Sequence, residues 1–142
     1  MGDAISTFVT NDKWIEFGAD VPRITPRDAG HNLARLAQKN DFTLFEYFLT
    51  DAAGHKANPG LVTSVLSEVD EILRGVLEEI DASDTLLLTT SDHGNVEDTT
   101  AKGHTLNLVP TLLVGKKHAD VATRIHALTD LTPALIDLIL QK

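Results

Sequence analysis

From Val62 to Ile80 the residues Val62, Val65, Leu66, Val69, Ile72, Leu73, Val76, Leu77 and Ile80 recur at i, i+3, i+4 and i+7, the spacing of one helix face. A stripe kept up for about five turns must be buried against something. Asn58-Pro59-Gly60 opens it with a capping side chain and a proline at the first helical position, and Ser64, Glu68, Glu71, Arg74, Glu78 and Glu79 fill the opposite face. A second helix is announced by Thr25-Pro26-Arg27-Asp28, a Thr cap with Pro and an acid in the first turn, and continues through Ala29, Leu33, Leu36 and Ala37. Three short apolar runs, Phe42 to Leu49, Thr85 to Thr90 and Val109 to Val114, read as strands, the first two buried on both faces. Helical pieces follow near Ala119 to Leu128 and from Thr132-Pro133 through Ala134, Leu135, Leu138 and Ile139. Strands that alternate with helices imply βαβ units, so the expected fold class is α/β with a mostly parallel sheet flanked by helices.

Residues 1–24 carry no clear period: an apolar run from Ala4 to Val9 precedes a mixed stretch around Trp14, Ile15 and Phe17 that ends at Gly18. This N-terminal segment is of uncertain structure. No repeat, linker or low-complexity stretch interrupts the 142 residues, which are read as a single domain. Twelve Lys and Arg against twenty-one Asp and Glu leave a formal net charge of −9, which argues against nucleic acid as a partner, because binding to a phosphate backbone needs clustered cations. The sequence has no Cys, which removes disulfide frameworks, thiolate nucleophiles and sulfur-rich zinc sites and fits a reducing, cytoplasmic setting. No apolar run approaches the roughly 20 residues of a spanning helix, and Met1-Gly2-Asp3-Ala4 lacks the layout of a signal peptide, so no membrane association is expected.

In an α/β sheet the functional crevice lies beyond the carboxyl ends of the strands. The first run ends in Asp51-Ala52-Ala53-Gly54-His55, the second in Asp92-His93-Gly94, and Gly103-His104 stands ahead of the third. Carboxylate oxygen and imidazole nitrogen together suit Mn²⁺ or Zn²⁺. Two such sets at neighbouring strand ends suggest a two-ion site, while each set alone fits an ordinary polar turn equally well, with Gly54 and Gly94 serving backbone geometry. His31, His118 and His126 read as surface residues, and Trp14 and Phe17 as core packing or an interaction patch.

Four separated segments then agree in order with one family. Thr90-Ser91-Asp92-His93-Gly94-Asn95 with Glu97, and His104-Thr105-Leu106-Asn107-Leu108-Val109-Pro110, resemble the metal-binding region of cofactor-independent phosphoglycerate mutases and related metalloenzymes of the alkaline phosphatase superfamily. Asp51-Ala52-Ala53-Gly54-His55 resembles the preceding metal motif of that family, and Thr129 to Leu138 its C-terminal helix. The resemblance covers roughly residues 42–140 and implies a partial alkaline phosphatase-like fold.

It also implies that Asp51, His55 and His104 ligate one divalent ion, Mn²⁺ or Zn²⁺, and that Asp92 and His93 ligate a second. In the family two such ions flank a Ser or Thr nucleophile and clamp the phosphoryl oxygens of a small-molecule substrate during transfer. Asn95 and Glu97 would brace the loop behind the ions. Lys56 and Lys102 lie beside the ligands in sequence, where contact with substrate phosphate is one reading and a solvated loop lysine the commoner one.

The family's earlier half, with an Asp ligand after the first strand and the nucleophile at a helix N-terminus, has no counterpart before Phe42. Asp3, Ser6, Thr7 and Asp12 lack the strand-Asp-Gly-x-Ser setting, so the catalytic nucleophile is unassigned. The chain reads as the C-terminal portion of a two-metal phosphomutase or phosphatase, inactive alone and binding one ion best at Asp51, His55 and His104. The alternative is a non-catalytic metal-binding module or one partner of a split enzyme. A sheet edge left by the missing strands would favour a homo-oligomer or a complementing N-terminal chain.

Overall fold

The computed structural model describes residues 5–101 and 103–140. They form two compact units, one running up to Ile80 and taking in Asn95–Thr105, the other comprising Asp81–Gly94 and the chain from Leu106 onward.

The first unit is built on helices. After α1 (Asp12–Glu16), the Thr25 signal starts α2 (Pro26–Ala37). The Thr25 hydroxyl accepts from the Asp28 backbone N–H at 3.1 Å while the Asp28 carboxylate accepts from Thr25 N–H at 3.1 Å, a reciprocal cap that satisfies two otherwise orphaned donors. α3 (Leu49–His55) leads into α4 (Pro59–Glu79), whose first turn is capped by Asn58 Oδ1 accepting from Gly60 and Leu61 N–H. Val62, Val65, Ile72 and Val76 are buried as the stripe requires, whereas Leu66 and Leu77 of the same stripe stay exposed. α2 and α4 cross where each presents a glycine: a Cβ on Gly30 would stand 2.1 Å from Ile72 O, and one on Gly75 2.1 Å from Arg27 O. Backbones that close admit no side chain between them.

Charge pairs flank this crossing. Arg27 donates to both oxygens of Glu71, Arg35 to both oxygens of Glu79, and His31 Nε2 lies 3.0 Å from Glu78 Oε2. Three residues of the expected solvent face of α4 therefore grip α2, and His31 belongs to that grip. Val9, Ala29 and Ile72 make one core cluster, and Ala53, Val62 and Val65 a second; Tyr47 packs against both and donates from its hydroxyl to Glu68 at 2.6 Å. Burial, and then this bond, push the Tyr47 phenol well above its usual range.

The expected first strand is not one. Residues 42–47 run without regular secondary structure into α3, with Thr43, Phe45 and Tyr47 half-buried and Phe42, Leu44 and Glu46 exposed. The alternation is that of a strand with one face covered, but among the described residues it joins no ladder. Trp14 and Phe17 are exposed, Trp14 meeting Phe8 and Phe17 edge-on. Residues 1–4, which include Asp3 and Ala4, lie outside the described residues.

The second unit holds the sheet. β1 (Leu86–Thr90) and β2 (Thr111–Gly115) pair antiparallel, from Leu86 opposite Gly115 to Thr90 opposite Thr111. Helices and strands are both present, as an α/β class requires, but the sheet among the described residues is this two-stranded antiparallel one, and the expected mostly parallel sheet is not seen in them. A parallel neighbour needs a crossover, usually a helix, and the described residues between the two strands form none. α5 (His118–Ala122), a 3₁₀ turn (Leu128–Asp130) and α6 (Leu131–Leu140) complete the unit. Asp130 accepts from the His126 and Ala127 backbone N–H groups at 2.9 Å, and these bonds hold its carboxyl below the ordinary range. Val121 and Ala134 are buried, and Thr132-Pro133 lies just inside α6 rather than capping it.

Candidate metal centre

Three of the five expected ligands come together within the first unit. Asp51 stands in the first turn of α3 and His55 at its end, so the spacing of four, which in sequence fits an ordinary polar turn equally well, instead puts both on one helix face. His55 Nε2 lies 3.3 Å from Asp51 Oδ1. His104, from the irregular segment Asn95–Thr105, brings its Nε2 to the same oxygen, also at 3.3 Å. The two imidazole rings stand 5.1 Å apart, tilted by 44°.

Donor atoms around a tetrahedral ion at ~2.0–2.1 Å are themselves separated by about 3.3 Å. The Asp51 oxygen meets each imidazole nitrogen at that separation. Two imidazoles and one carboxylate are a donor set that Zn²⁺ and Mn²⁺ both accept. All three side chains are part-exposed, so an ion and its remaining ligands have access from solvent.

The surroundings hold the set in place. Asn95 Nδ2 donates to Asp51 Oδ1 at 2.6 Å and to Asp51 O at 3.3 Å. The Asn95 backbone N–H donates to Glu97 Oε2 at 2.6 Å, and Glu97 Oε1 accepts from the hydroxyl of Thr105, the residue after His104. Sequence placed Asn95 and Glu97 behind the ligands in general terms; Asn-x-Glu is too short a signal to show that the amide reaches back 44 positions to Asp51.

Asp92 and His93 belong to the second unit, at the bend after β1. His93 Nε2 lies 3.5 Å from Asp92 Oδ1, and Ser91 Oγ donates to His93 O at 2.7 Å. The Asp92 side chain is 84% exposed. Lys56 is exposed at the end of α3, and Lys102 lies outside the described residues. Asp12, which lacks the family's strand-Asp-Gly-x-Ser setting, is paired with Arg23 at 2.6 Å. His118 Nδ1 lies 2.8 Å from Gly115 O, and His118 and His126 are exposed, as expected. No described helix is long and apolar enough to cross a membrane.

Residues 23–142 match the family model described as the metalloenzyme superfamily. The chain is 27% identical over 124 residues to a 2,3-bisphosphoglycerate-independent phosphoglycerate mutase of Moorella thermoacetica, covering 83% of this chain and 24% of that protein. It is 30% identical to the enzyme of the same name from Desulforudis audaxviator over the same shares, and 34% identical over 112 residues to that of Thiobacillus denitrificans, covering 73% of this chain and 22% of the relative. The chain therefore spans about a quarter of the length of the curated relatives it matches. No solved structure matches it. With a family match over most of its length, this chain belongs to the metalloenzyme superfamily.

Proposed function

We propose that this chain supplies the metal-binding portion of a phosphomutase or phosphatase that acts on a phosphorylated small molecule with the help of Mn²⁺ or Zn²⁺. Asp51, His55 and His104 hold one ion, and Asp92 and His93 contribute to a second. The observation that carries this reading is the convergence of two imidazole nitrogens on one Asp51 oxygen, each at 3.3 Å. A divalent pair supplies charge stabilisation for a transferring phosphoryl group. The chain's own residues bind and orient: α3 fixes Asp51 and His55 on one face, and the Glu97 to Thr105 bond tethers the segment that delivers His104. The Ser or Thr nucleophile comes from sequence outside this stretch, within a parallel-sheet, alkaline phosphatase-like fold that the extended residues 42–47 would help to complete, in a cytoplasmic enzyme.

Titration calorimetry of the full chain with Mn²⁺ and with Zn²⁺ tests this. Binding of one ion per chain, weakened at least about tenfold by His104→Ala, is expected, since each ligand lost removes over a kcal/mol of binding. No binding of either ion overturns the reading.

A second reading, that the chain is one partner of a split enzyme or associates with itself, is favoured by the strand-like residues 42–47, where Leu44 is 82% exposed and the segment joins no ladder among the described residues. Light scattering on the purified chain is expected to show a dimer or larger species; a monomer at all concentrations removes the self-association.

A further inference from the structure

Asn95 is the buried polar side chain among the described residues, 5% exposed, in a unit whose other buried side chains are apolar. Burying an amide is costly unless its hydrogen bonds are made. Both of its donor bonds go to Asp51, one to Oδ1 at 2.6 Å and one to the backbone carbonyl at 3.3 Å, while Oδ1 of Asn95 has no partner. The amide is thus spent on one residue, at its carboxylate and its main chain together.

Its place is set by a glycine. A Cβ on Gly54 would stand 1.7 Å from Asn95 Oδ1, 2.4 Å from Cγ and 3.0 Å from Nδ2. These are its three nearest atoms, so every atom nearer than 3.0 Å belongs to Asn95. Gly54 lies inside α3, between the two ligands that the helix presents, where Ala would be the better helix former. Its smallness has a local reason: it is the only residue type that lets the amide lie against the helix and reach Asp51.

We propose that Asn95 is the positioning residue of this metal centre: it fixes the Asp51 carboxylate so that Oδ1 faces His55 and His104, and Gly54 is the gap that admits it. The inference rests on the ligand assignment above. The Glu97 carboxylate, bonded to both the Asn95 backbone and the Thr105 hydroxyl, ties this clamp to the segment bearing His104. A carboxylate that rotates freely presents its lone pairs to the imidazoles only part of the time. One clamped at both the carboxylate and the main chain is organised before the ion arrives.

The test is a double-substitution cycle on the full chain, Gly54→Ala, Asn95→Ala and both together, read in two ways. In excess chelator, where no ion contributes, Gly54→Ala is expected to lower Tm by more than about 5 °C in the presence of Asn95, and to be harmless or stabilising in the Asn95→Ala background, where the clash is gone. By calorimetry, Asn95→Ala is expected to bind Mn²⁺ or Zn²⁺ about 10–100-fold more weakly than the parent while its circular dichroism stays unchanged. If the Gly54→Ala single variant does not fold, recovery of folding in the double variant carries the same meaning. Additive Tm changes in chelator overturn the interlock, and an Asn95→Ala affinity within about twofold of the parent overturns the positioning role. A parent chain that binds neither ion while the cycle in chelator is non-additive overturns the metal assignment and leaves the interlock standing, so the two failures are told apart.

Discussion

The two units of this chain solve different problems. In the first, two capped helices touch backbone to backbone at Gly30 and Gly75 and are flanked by the Arg27–Glu71, His31–Glu78 and Arg35–Glu79 contacts, and His55 and His104 converge on one Asp51 oxygen. In the second, two five-residue strands make one antiparallel ladder, Leu106 and Leu108 are 105% and 99% exposed, and Asp92 projects into solvent. One unit brings two imidazole nitrogens onto one carboxylate oxygen from its own residues, and the other pairs Asp92 with His93 at a bend. An ion bound by this chain alone should therefore report on the first unit.

The sharpest way to break that contrast is at the helix crossing. Gly75→Val places a branched side chain where even a Cβ lies 2.1 Å from a main-chain oxygen, and backbone cannot yield as a side chain can. A loss of about 3 kcal/mol or more is expected, at the upper end of overpacking effects, read by urea denaturation. Ile72→Ala, in the buried cluster with Val9 and Ala29, should cost about 2–5 kcal/mol. A small effect from both would mean that the first unit does not owe its order to this crossing. The next effect in size separates the ligand sets. His104→Ala should weaken Zn²⁺ binding at least about tenfold, whereas Asp92→Ala should change the same affinity far less; equal losses would show that both sets act on one ion.

Helix capping supplies a smaller test with a pH signature. Thr25→Ala removes the hydroxyl that accepts from Asp28 N–H and donates to its carboxylate at 2.7 Å, and should cost about 1 kcal/mol. The Thr25 hydroxyl, and then its backbone N–H, hold the Asp28 carboxyl below its ordinary value. A carboxyl lowered by folding stabilises the folded state above the ordinary carboxylate range and loses that contribution as pH falls through its folded-state value. Stability of the parent should therefore fall on acidification more steeply than that of Thr25→Ala, as urea midpoints between about pH 6 and pH 2.5 would show.

The two long helices of the first unit, α2 and α4, were legible because their signals are local. Thr25-Pro26 and Asn58-Pro59 state where α2 and α4 begin, and the 3.6-residue period states which face is buried. α3 was not legible: Phe48 stands at its N-cap position with no side-chain cap, and the preceding apolar run imitates a buried strand. The direction of pairing between β1 and β2 was equally out of reach, because it depends on how the chain returns between them and not on either strand's composition. Of the site, residue types and spacing were visible, but the amide of Asn95 reaching Asp51 joins positions 44 apart, and Gly54 read only as serving backbone geometry. Its role as a gap exists only once Asn95 is beside it.

The smallest expected effect concerns the second unit. Leu108 is 99% exposed, so Leu108→Ser removes no buried apolar area from the chain on its own and should shift stability by no more than about 0.5 kcal/mol. The same holds for Leu106→Ser. If either substitution lowers the urea midpoint by as much as Ile72→Ala does, those leucines are buried in solution by another molecule. A concentration dependence of the parent's midpoint, absent in the variant, would identify that molecule as a second copy of the chain. A null result at Leu108 beside a large one at Ile72 preserves the contrast: the first unit is held by its own interior, and the exposed leucines of the second stabilise nothing within the chain.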